Sequence, residues 1–302
     1  MRIMKLVKRN ILVYTRDRAN IFFSLLSVII IIGLMVLFLG NMNIDNVVYM
    51  LQDFGERDSI LDRENAKNLI MLWSIAGIVV VNSVTVTLAM VGIMVEDEAR
   101  NRLASFFVAP VNRGLLAVGY MAAAVIVGIV MCVLTVIISD VILWAAGGSL
   151  LSVHQLTSIL LYIIINVFTF SGLGLLLAAF IHTTSAFAGL STIIGTLVGF
   201  LSAIYLPMGA LPEKVQAVLK SLPMLHGSAM MREVFTREAI KTTFTNCPEE
   251  FIEGYKEYMG IALKWNDTTI NNSISVAFLV ISGIVFIGIS AFILNNKNSM
   301  KR

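Results

Sequence analysis

The sequence predicts an all-α protein that crosses a membrane several times, and three observations support this fold class. The chain is 58% hydrophobic and 14% charged, whereas soluble domains carry about 25% charged residues. Several charge-free apolar blocks approach or exceed the roughly 20 residues that a helix needs to cross a bilayer. Lysine and arginine are concentrated on one side of these blocks. A polytopic helical membrane protein is therefore expected.

The first twenty residues predict an amphipathic helix on the inner membrane surface. Six basic residues stand against one acid, Asp17, and apolar residues such as Leu6, Val7, Ile11 and Tyr14 recur at helical spacing. A basic amphipathic helix of this kind lies in the plane of a membrane. The alternative is a charged tail that only satisfies the positive-inside bias. The apolar stretch that follows is too long for a signal-peptide core, so we expect it to remain as a span.

Six spans are predicted from the apolar blocks and the polar segments between them. The first connection is acidic, the connections on either side of the fourth span are short, and a long mixed segment precedes the last span. The predicted spans cover residues 21–39, 69–95, 115–146, 156–181, 186–205 and 273–294.

The distribution of positive charge orients these spans. The two terminal segments and the segment at 96–119 carry twelve lysines and arginines, whereas the loop at 41–68 carries three and the turn at 147–154 carries none. Short loops rich in lysine and arginine remain in the cytoplasm. We therefore expect both termini and the segment at 96–114 to be cytoplasmic, in a plasma membrane protein.

The charged segment at 96–114 is the most informative stretch of the chain. It begins with acids, continues with basic residues and an apolar stripe at i, i+3 and i+4, and is then broken by a proline. This pattern is typical of a short helix that lies against a membrane or a partner protein, while a solvated loop is the alternative. The residues concerned are Glu96, Asp97, Glu98, Arg100, Arg102, Leu103, Phe106, Phe107, Pro110 and Arg113.

This segment resembles the coupling region of the type-2 family of ABC exporter permeases, in which an acidic cluster precedes a turn residue, an apolar run, a proline and an arginine. Asn101 stands where the family often has glycine, and asparagine also tolerates a left-handed backbone. Tyr120 stands where the family often has lysine. A second family signature follows downstream, formed by Pro207, Leu211, Pro212, Pro223, His226 and Arg232.

The resemblance implies the membrane-spanning subunit of an ATP-driven exporter, with residues 96–114 as its cytoplasmic coupling helix. The implied partners are two ABC ATPase subunits, which would bind ATP and Mg, and a second permease copy, identical or related. Membrane lipid is a further expected partner, and nucleic acid is not. The apolar, methionine-rich composition suggests an amphipathic cargo such as a drug-like compound, a lipid or a peptide.

The long segment at 206–272 is predicted to close the outer side. Its first part contains too many prolines to span the membrane and too many apolar residues for a free loop. As the resemblance implies, we expect a re-entrant pair of short helices in the outer leaflet, followed from residue 236 by a polar extracellular cap. His226 and Arg232 are expected either to hold this pair by hydrogen bonds to neighbouring spans or to face water.

The sequence lacks the motifs of hydrolytic and metal chemistry. It contains no GxxxxGK[ST] phosphate loop, no HExxH and no GxSxG. The three histidines are isolated, and the two cysteines lie in an apolar span and a polar loop. No catalytic residue, metal site or cofactor is therefore predicted in this chain, and energy for transport must come from a partner or an ion gradient.

Polar and small residues within the predicted spans leave alternatives open. Asp140 is the one acid inside a span, so an ion-coupled secondary transporter or a channel would use it. Its position near the outer end also suits a structural acid. Asn82 and Thr85, with Gly195 and Gly199, are candidates for the translocation path or a dimer face, or for ordinary helix packing. A passive structural or sensor subunit is a third functional class.

Overall fold

The computed structural model describes residues 2–34, 40–54, 58–102, 113–148, 150–265 and 268–296. Short 3-10 turns occur at Gln52–Phe54 and Met208–Ala210. The helices within the described ranges are α1 (Arg2–Arg16), α2 (Arg18–Leu34), α3 (Gly40–Leu51), α4 (Ser59–Ala99), α5 (Arg113–Ala145), α6 (Val153–Phe180), α7 (Thr184–Leu201), α8 (Glu213–Lys220), α9 (Pro223–Thr243), α10 (Glu249–Tyr258) and α11 (Asn272–Asn296).

Five of these helices, α4, α5, α6, α7 and α11, are long and apolar enough to cross a membrane. The helical, multi-span architecture predicted from the sequence is thereby confirmed. The predicted first span, 21–39, corresponds to α2, which holds a shorter apolar stretch at Arg18–Ile30. Residues 35–39 lie outside the described part of the chain, so the sixth span stays a prediction.

Helix α4 is the centre of the molecule, because it packs against α2, α3, α5, α6, α7 and α9. Its 41 residues extend over about 60 Å at 1.5 Å per residue, roughly twice the thickness of a hydrocarbon core. The predicted span, 69–95, is therefore only its central part. At the start, the side chain of Asp58 accepts a hydrogen bond from the backbone N–H of Ile60 at 2.9 Å, which caps the helix outside the predicted span.

Helix α1 packs its apolar stripe against α5, and its predicted position on the membrane surface stays a prediction. Leu6, Asn10 and Tyr14 are buried, and α1 lies along α5. A Cβ at Gly119 would lie 2.5 Å from Cδ2 of Leu6, so glycine at this position permits the close approach. The side chains that stay exposed on α1 are a mixture of apolar and basic groups, among them Met4, Lys5, Lys8, Leu12, Val13 and Arg16.

The segments at 41–68 and 206–272, which are predicted to lie outside, contain more regular structure than the sequence predicts. The predicted acidic loop at 41–68 holds α3 and the first turns of α4. In the predicted re-entrant pair, Pro207 precedes the 3-10 turn and Leu211 follows it, Pro212 is the N-cap of α8, and Pro223 begins α9. Helix α9 is 21 residues long and continues into the segment predicted as a polar cap.

A small β-hairpin was not predicted and qualifies the all-α fold class. Strands β1 (Leu263–Trp265) and β2 (Thr268–Ile270) pair antiparallel, with Leu263 opposite Ile270 and Trp265 opposite Thr268. The strands are only three residues long, which is too short for an alternating pattern to be distinguished in the sequence.

Candidate functional site

The charged segment begins in the last turn of α4 and not in a separate helix. Beyond this turn, the backbone N–H of Arg102 donates to the Asp97 carbonyl at 2.9 Å, and that of Asn101 donates to the Glu98 carbonyl at 3.0 Å. Asn101 has a φ of 54°, the left-handed conformation that a Schellman cap requires. The chain therefore turns sharply at Asn101 as it leaves α4.

The apolar part of the predicted coupling helix lies outside the described residues. This applies to Leu103, Phe106, Phe107 and Pro110. Arg113 begins α5, although the position of its side chain is not described. The apolar stripe and its contact with an ATPase therefore stay predictions.

Four charged side chains surround this end of α4. Glu96, Glu98, Arg100 and Arg102 are between 37% and 59% exposed. Arg100 Nη1 lies 3.0 Å from Glu96 Oε1, and Nδ1 of His182, in the connection between α6 and α7, lies 3.4 Å from Glu98 Oε1. Exposed pairs of this kind contribute little to stability.

Asp97 has the opposite orientation from its two acidic neighbours, because its side chain is only 1% exposed. Arg9 donates from both terminal nitrogens, with Nη2 at 2.8 Å from Oδ1, and the hydroxyl of Tyr120 donates to Oδ2 at 2.6 Å. The hydrogen bond to Asp97 raises the pKa of Arg9 above its ordinary value. The predicted acidic triplet therefore divides into two exposed glutamates and one buried aspartate that binds α1 and α5.

Away from the charged end of α4, the buried side chain of Arg232 joins α9 to the ends of two other helices. Its Nη2 donates to the carbonyls of Ser202 at 2.9 Å and Ala203 at 2.7 Å, beyond the end of α7. Its Nη1 donates to the carbonyl of Gly260 at 3.3 Å, beyond the end of α10. Helix C-termini carry partial negative charge, so two of them offset the buried cation. Burial lowers the pKa of Arg232 to about 9, which leaves it charged at neutral pH.

Trp73 of α4 also contacts Arg232. The guanidinium carbon of Arg232 lies 4.4 Å from the centre of its ring, a cation–π distance. The indole Nε1 of Trp73 donates to the carbonyl of Met259 at 2.9 Å. Helix α9 and the end of α10 are thus attached to α4 as well as to each other.

His226 attaches the start of α9 to α8 and α11. Its Nε2 lies 2.9 Å from the carbonyl of Lys220 and must donate to it, so Nδ1 accepts from the hydroxyl of Ser275 at 3.1 Å. Burial lowers the pKa of His226, which favours the neutral ring that this pattern requires. Both predicted outer residues therefore hydrogen-bond to neighbouring elements.

Most of the chain, including all of α4, matches one protein family. Residues 56–292 match the family described as ABC-2 family transporter protein. The chain belongs to the ABC-2 transporter family. Proteins of this family are membrane components of transporters and have no ATPase domain of their own. No curated protein sequence matches the chain.

Of the two polar residues predicted for the translocation path in the second span of this ABC-2 protein, Asn82 bonds to neighbouring helices and Thr85 bonds within its own helix. Asn82 donates to the hydroxyl of Thr135 on α5 at 2.6 Å, and its Oδ1 accepts from Ser24 on α2 at 3.4 Å. The hydroxyl of Thr85 donates to the carbonyl of Val81 at 3.1 Å. Asn82 therefore joins three helices, as polar groups in spans commonly do.

The two glycines of α7 differ in their surroundings. A Cβ at Gly199 would lie 2.3 Å from the ring of Tyr205, whereas one at Gly195 would lie 4.0 Å from Thr85. Gly199 is thus covered within the subunit. A dimer face on the exposed side of α7 stays a prediction for this ABC-2 protein.

Asp140 lies near the C-terminal end of α5, where its Oδ1 accepts a hydrogen bond from the backbone N–H of Leu151 at 3.2 Å. This bond fixes the turn between α5 and α6. Asparagine would retain the acceptor oxygen without the charge. We therefore expect Asp140→Asn to change the thermal midpoint of the purified protein by the equivalent of less than about 0.5 kcal/mol, and Asp140→Ala to cost about 1 kcal/mol.

Three residues of these clusters, Arg9, Tyr120 and Trp73, are not distinguished as functional by the sequence. The one available signal is at Tyr120, where the family that this chain resembles often has lysine. A lysine there would also be a hydrogen-bond donor near Asp97. In the part of the chain that the structure describes, no group of three His, Cys, Asp or Glu side chains could hold a metal ion.

Proposed function

We propose that this chain is the membrane-spanning subunit of an ATP-driven exporter and that separate ATPase subunits dock at the coupling end of α4. The observation that carries the proposal is the arrangement of Glu96 and Glu98, which are partly exposed, and of Arg100 and Arg102, which are exposed. They surround a helix end that is itself fixed by Asp97. A ring of charges at a rigid helix end, followed by an apolar stripe, suits a groove on a partner protein.

Two ATPase subunits that bind ATP and Mg, and a second permease copy, identical or related, complete the proposed complex. Its cargo is an amphipathic compound such as a drug-like molecule, a lipid or a peptide, moved out of the cytoplasm. Both termini and the coupling end then face the cytoplasm of a cell whose plasma membrane holds the protein.

Co-purification tests this proposal directly. We expect the full-length chain, extracted in mild detergent from its native membranes, to bring down an ATP-binding subunit in equal stoichiometry. A chain that purifies without any ATP-hydrolysing partner, from cells in which it is present, would contradict the proposal and favour an ion-coupled transporter or a passive subunit.

A labelling assay measures coupling without knowledge of the cargo. Met208, at the outer 3-10 turn, is 2% exposed, so a cysteine there should react slowly with an impermeant thiol reagent. Met208→Cys would be made on a background in which Cys132 and Cys247 are replaced. We expect ATP with vanadate to increase its labelling rate from outside, because closure of the ATPases should open the outer side.

The double variant Phe106→Ala, Phe107→Ala should abolish this response. If the two aromatic rings dock in the partner, their loss removes an anchor worth more than about 1 kcal/mol per ring, and the nucleotide-dependent increase should fall roughly tenfold or more. Phe292→Ala, on an exposed face of α11, is the matched control and should leave the response intact. An unchanged response in the double variant, in a complex that still assembles, would remove the segment from the coupling pathway.

A further inference from the structure

The buried carboxylate of Asp97 joins three chain segments that are far apart in sequence. Arg9 is 88 residues away and Tyr120 is 23 residues away. Arg9 lies on α1 and Tyr120 lies on α5. An ionised carboxylate offers about four acceptor positions, and here they are used by two guanidinium nitrogens, a hydroxyl and, at 3.5 Å, Nη1 of Arg102.

These bonds fix both ends of the predicted coupling segment. The chain leaves α4 through the turn whose backbone bond joins Arg102 to Asp97. It returns as α5, where Tyr120 binds the carboxylate of the same Asp97 at 2.6 Å. Whatever path residues 103–112 take, their entry and exit are therefore connected through one side chain, and α1 is connected to both.

Helix α4 carries both this cluster and the cluster of Trp73 with Arg232. Asp97 and Trp73 are 24 positions apart on α4, which corresponds to about 36 Å along its axis. Most side chains between them are buried. A continuous, packed helix is the kind of rigid element that carries coupling between distant sites, and here it connects Asp97 to the site where Trp73 contacts Arg232.

We propose that Asp97 is a positioning residue that joins α1, the end of α4 and the start of α5 into one mechanical unit. When the ATPase moves the coupling segment, α4 is then displaced with it, and the segment does not merely bend. The coupling role rests on the proposed function above. In this arrangement α1 supports the coupling end from the side, and the contact of Arg9 with Asp97 is what keeps it there.

The test has two readouts on the full-length protein, one of which needs no nucleotide. Spin labels at Leu12 and Val118, both exposed, report the distance between α1 and α5 in membranes. The labelling rate of Met208→Cys, with and without ATP and vanadate, reports coupling. The variants are Asp97→Asn, Arg9→Gln and the milder Tyr120→Phe, with Arg16→Gln as a matched loss of charge from the exposed side of α1.

Asp97→Asn and Arg9→Gln are expected to broaden the distance distribution and to reduce the nucleotide-dependent increase in labelling by about tenfold, since one partner of a buried charged pair is left uncompensated. Tyr120→Phe removes the hydroxyl that donates to Asp97 and accepts from Arg9 at 3.4 Å but leaves the packing of the ring. It should give an intermediate effect even if the charge variants fold poorly. Arg16→Gln should resemble the unsubstituted chain.

A narrow distance distribution with an intact labelling response in Asp97→Asn would overturn the proposal. A broad distribution with an intact response would overturn it as well, because Asp97 would then hold α1 without any part in coupling. If the unsubstituted complex shows no nucleotide response, the proposed function fails and the coupling role fails with it. The distance readout then decides the attachment of α1 by itself.

Discussion

Replacing Arg232 with alanine is expected to destabilise the protein more than any other single change in the segment at 206–272. The substitution removes the cation that binds the carbonyls of Ser202, Ala203 and Gly260. It leaves these carbonyls unsatisfied at the ends of α7 and α10, and leaves a cavity against Trp73. We expect a loss of about 3–5 kcal/mol, seen as a fall on the order of 10 °C in the thermal midpoint in nanodiscs.

Two further variants make this prediction specific. Arg237→Ala, on the exposed face of the same helix where Arg237 pairs with Glu233, should cost less than about 1 kcal/mol. Arg232→Lys should fall between the two, because an ammonium cannot reproduce the planar fork that reaches both helix ends. An Arg232→Ala protein as stable as the Arg237→Ala protein would show that the buried guanidinium does not hold the outer segments together.

The membrane architecture could be predicted from the sequence because the bilayer imposes a length and a composition on every span. Helix α6, for example, covers 153–180 where the apolar pattern predicts 156–181. The same rule places only the middle of α4, since hydropathy reports where a helix meets lipid and not where it continues into water. The helix extends further because Asp58 caps its start and no proline interrupts the following forty residues.

The orientation of single charged residues could not be predicted in this way. Glu96, Asp97 and Glu98 are equivalent as sequence, and only the last turn of α4 together with Arg9, 88 residues distant, decides that Asp97 is the buried one. Arg232 stands in an apolar segment beside Glu233, so local reasoning leaves both a buried and an exposed arginine possible. Its partners are helix C-termini, which exist only once the chain has folded.

The close approach of α9 to α6 gives the second large expected effect. Gly227 of α9 faces Asn166 of α6, and a Cβ at this position would lie 2.1 Å from Oδ1 of Asn166. Asn166 is buried, and its Nδ2 donates to the carbonyl of Tyr162 at 2.9 Å, so its amide cannot turn away without losing that bond. We expect Gly227→Leu to destabilise the protein by about 3 kcal/mol through overpacking, again measured as the thermal midpoint.

Two controls decide whether the destabilisation by Gly227→Leu arises from the contact with Asn166. One is a substitution at a glycine that has open space around it, and the other is a second substitution that makes room. Gly254, exposed in α10, would meet nothing within 4 Å, so Gly254→Leu should be neutral or stabilise by up to about 1 kcal/mol through helix propensity. Gly227→Ala should cost less than Gly227→Leu, and adding Asn166→Ala should make room for the new methyl group and recover part of the loss. If Gly227→Leu proves as harmless as Gly254→Leu, α9 does not pack on α6 at this position, and the position of α8 and α9 in the protein must be different.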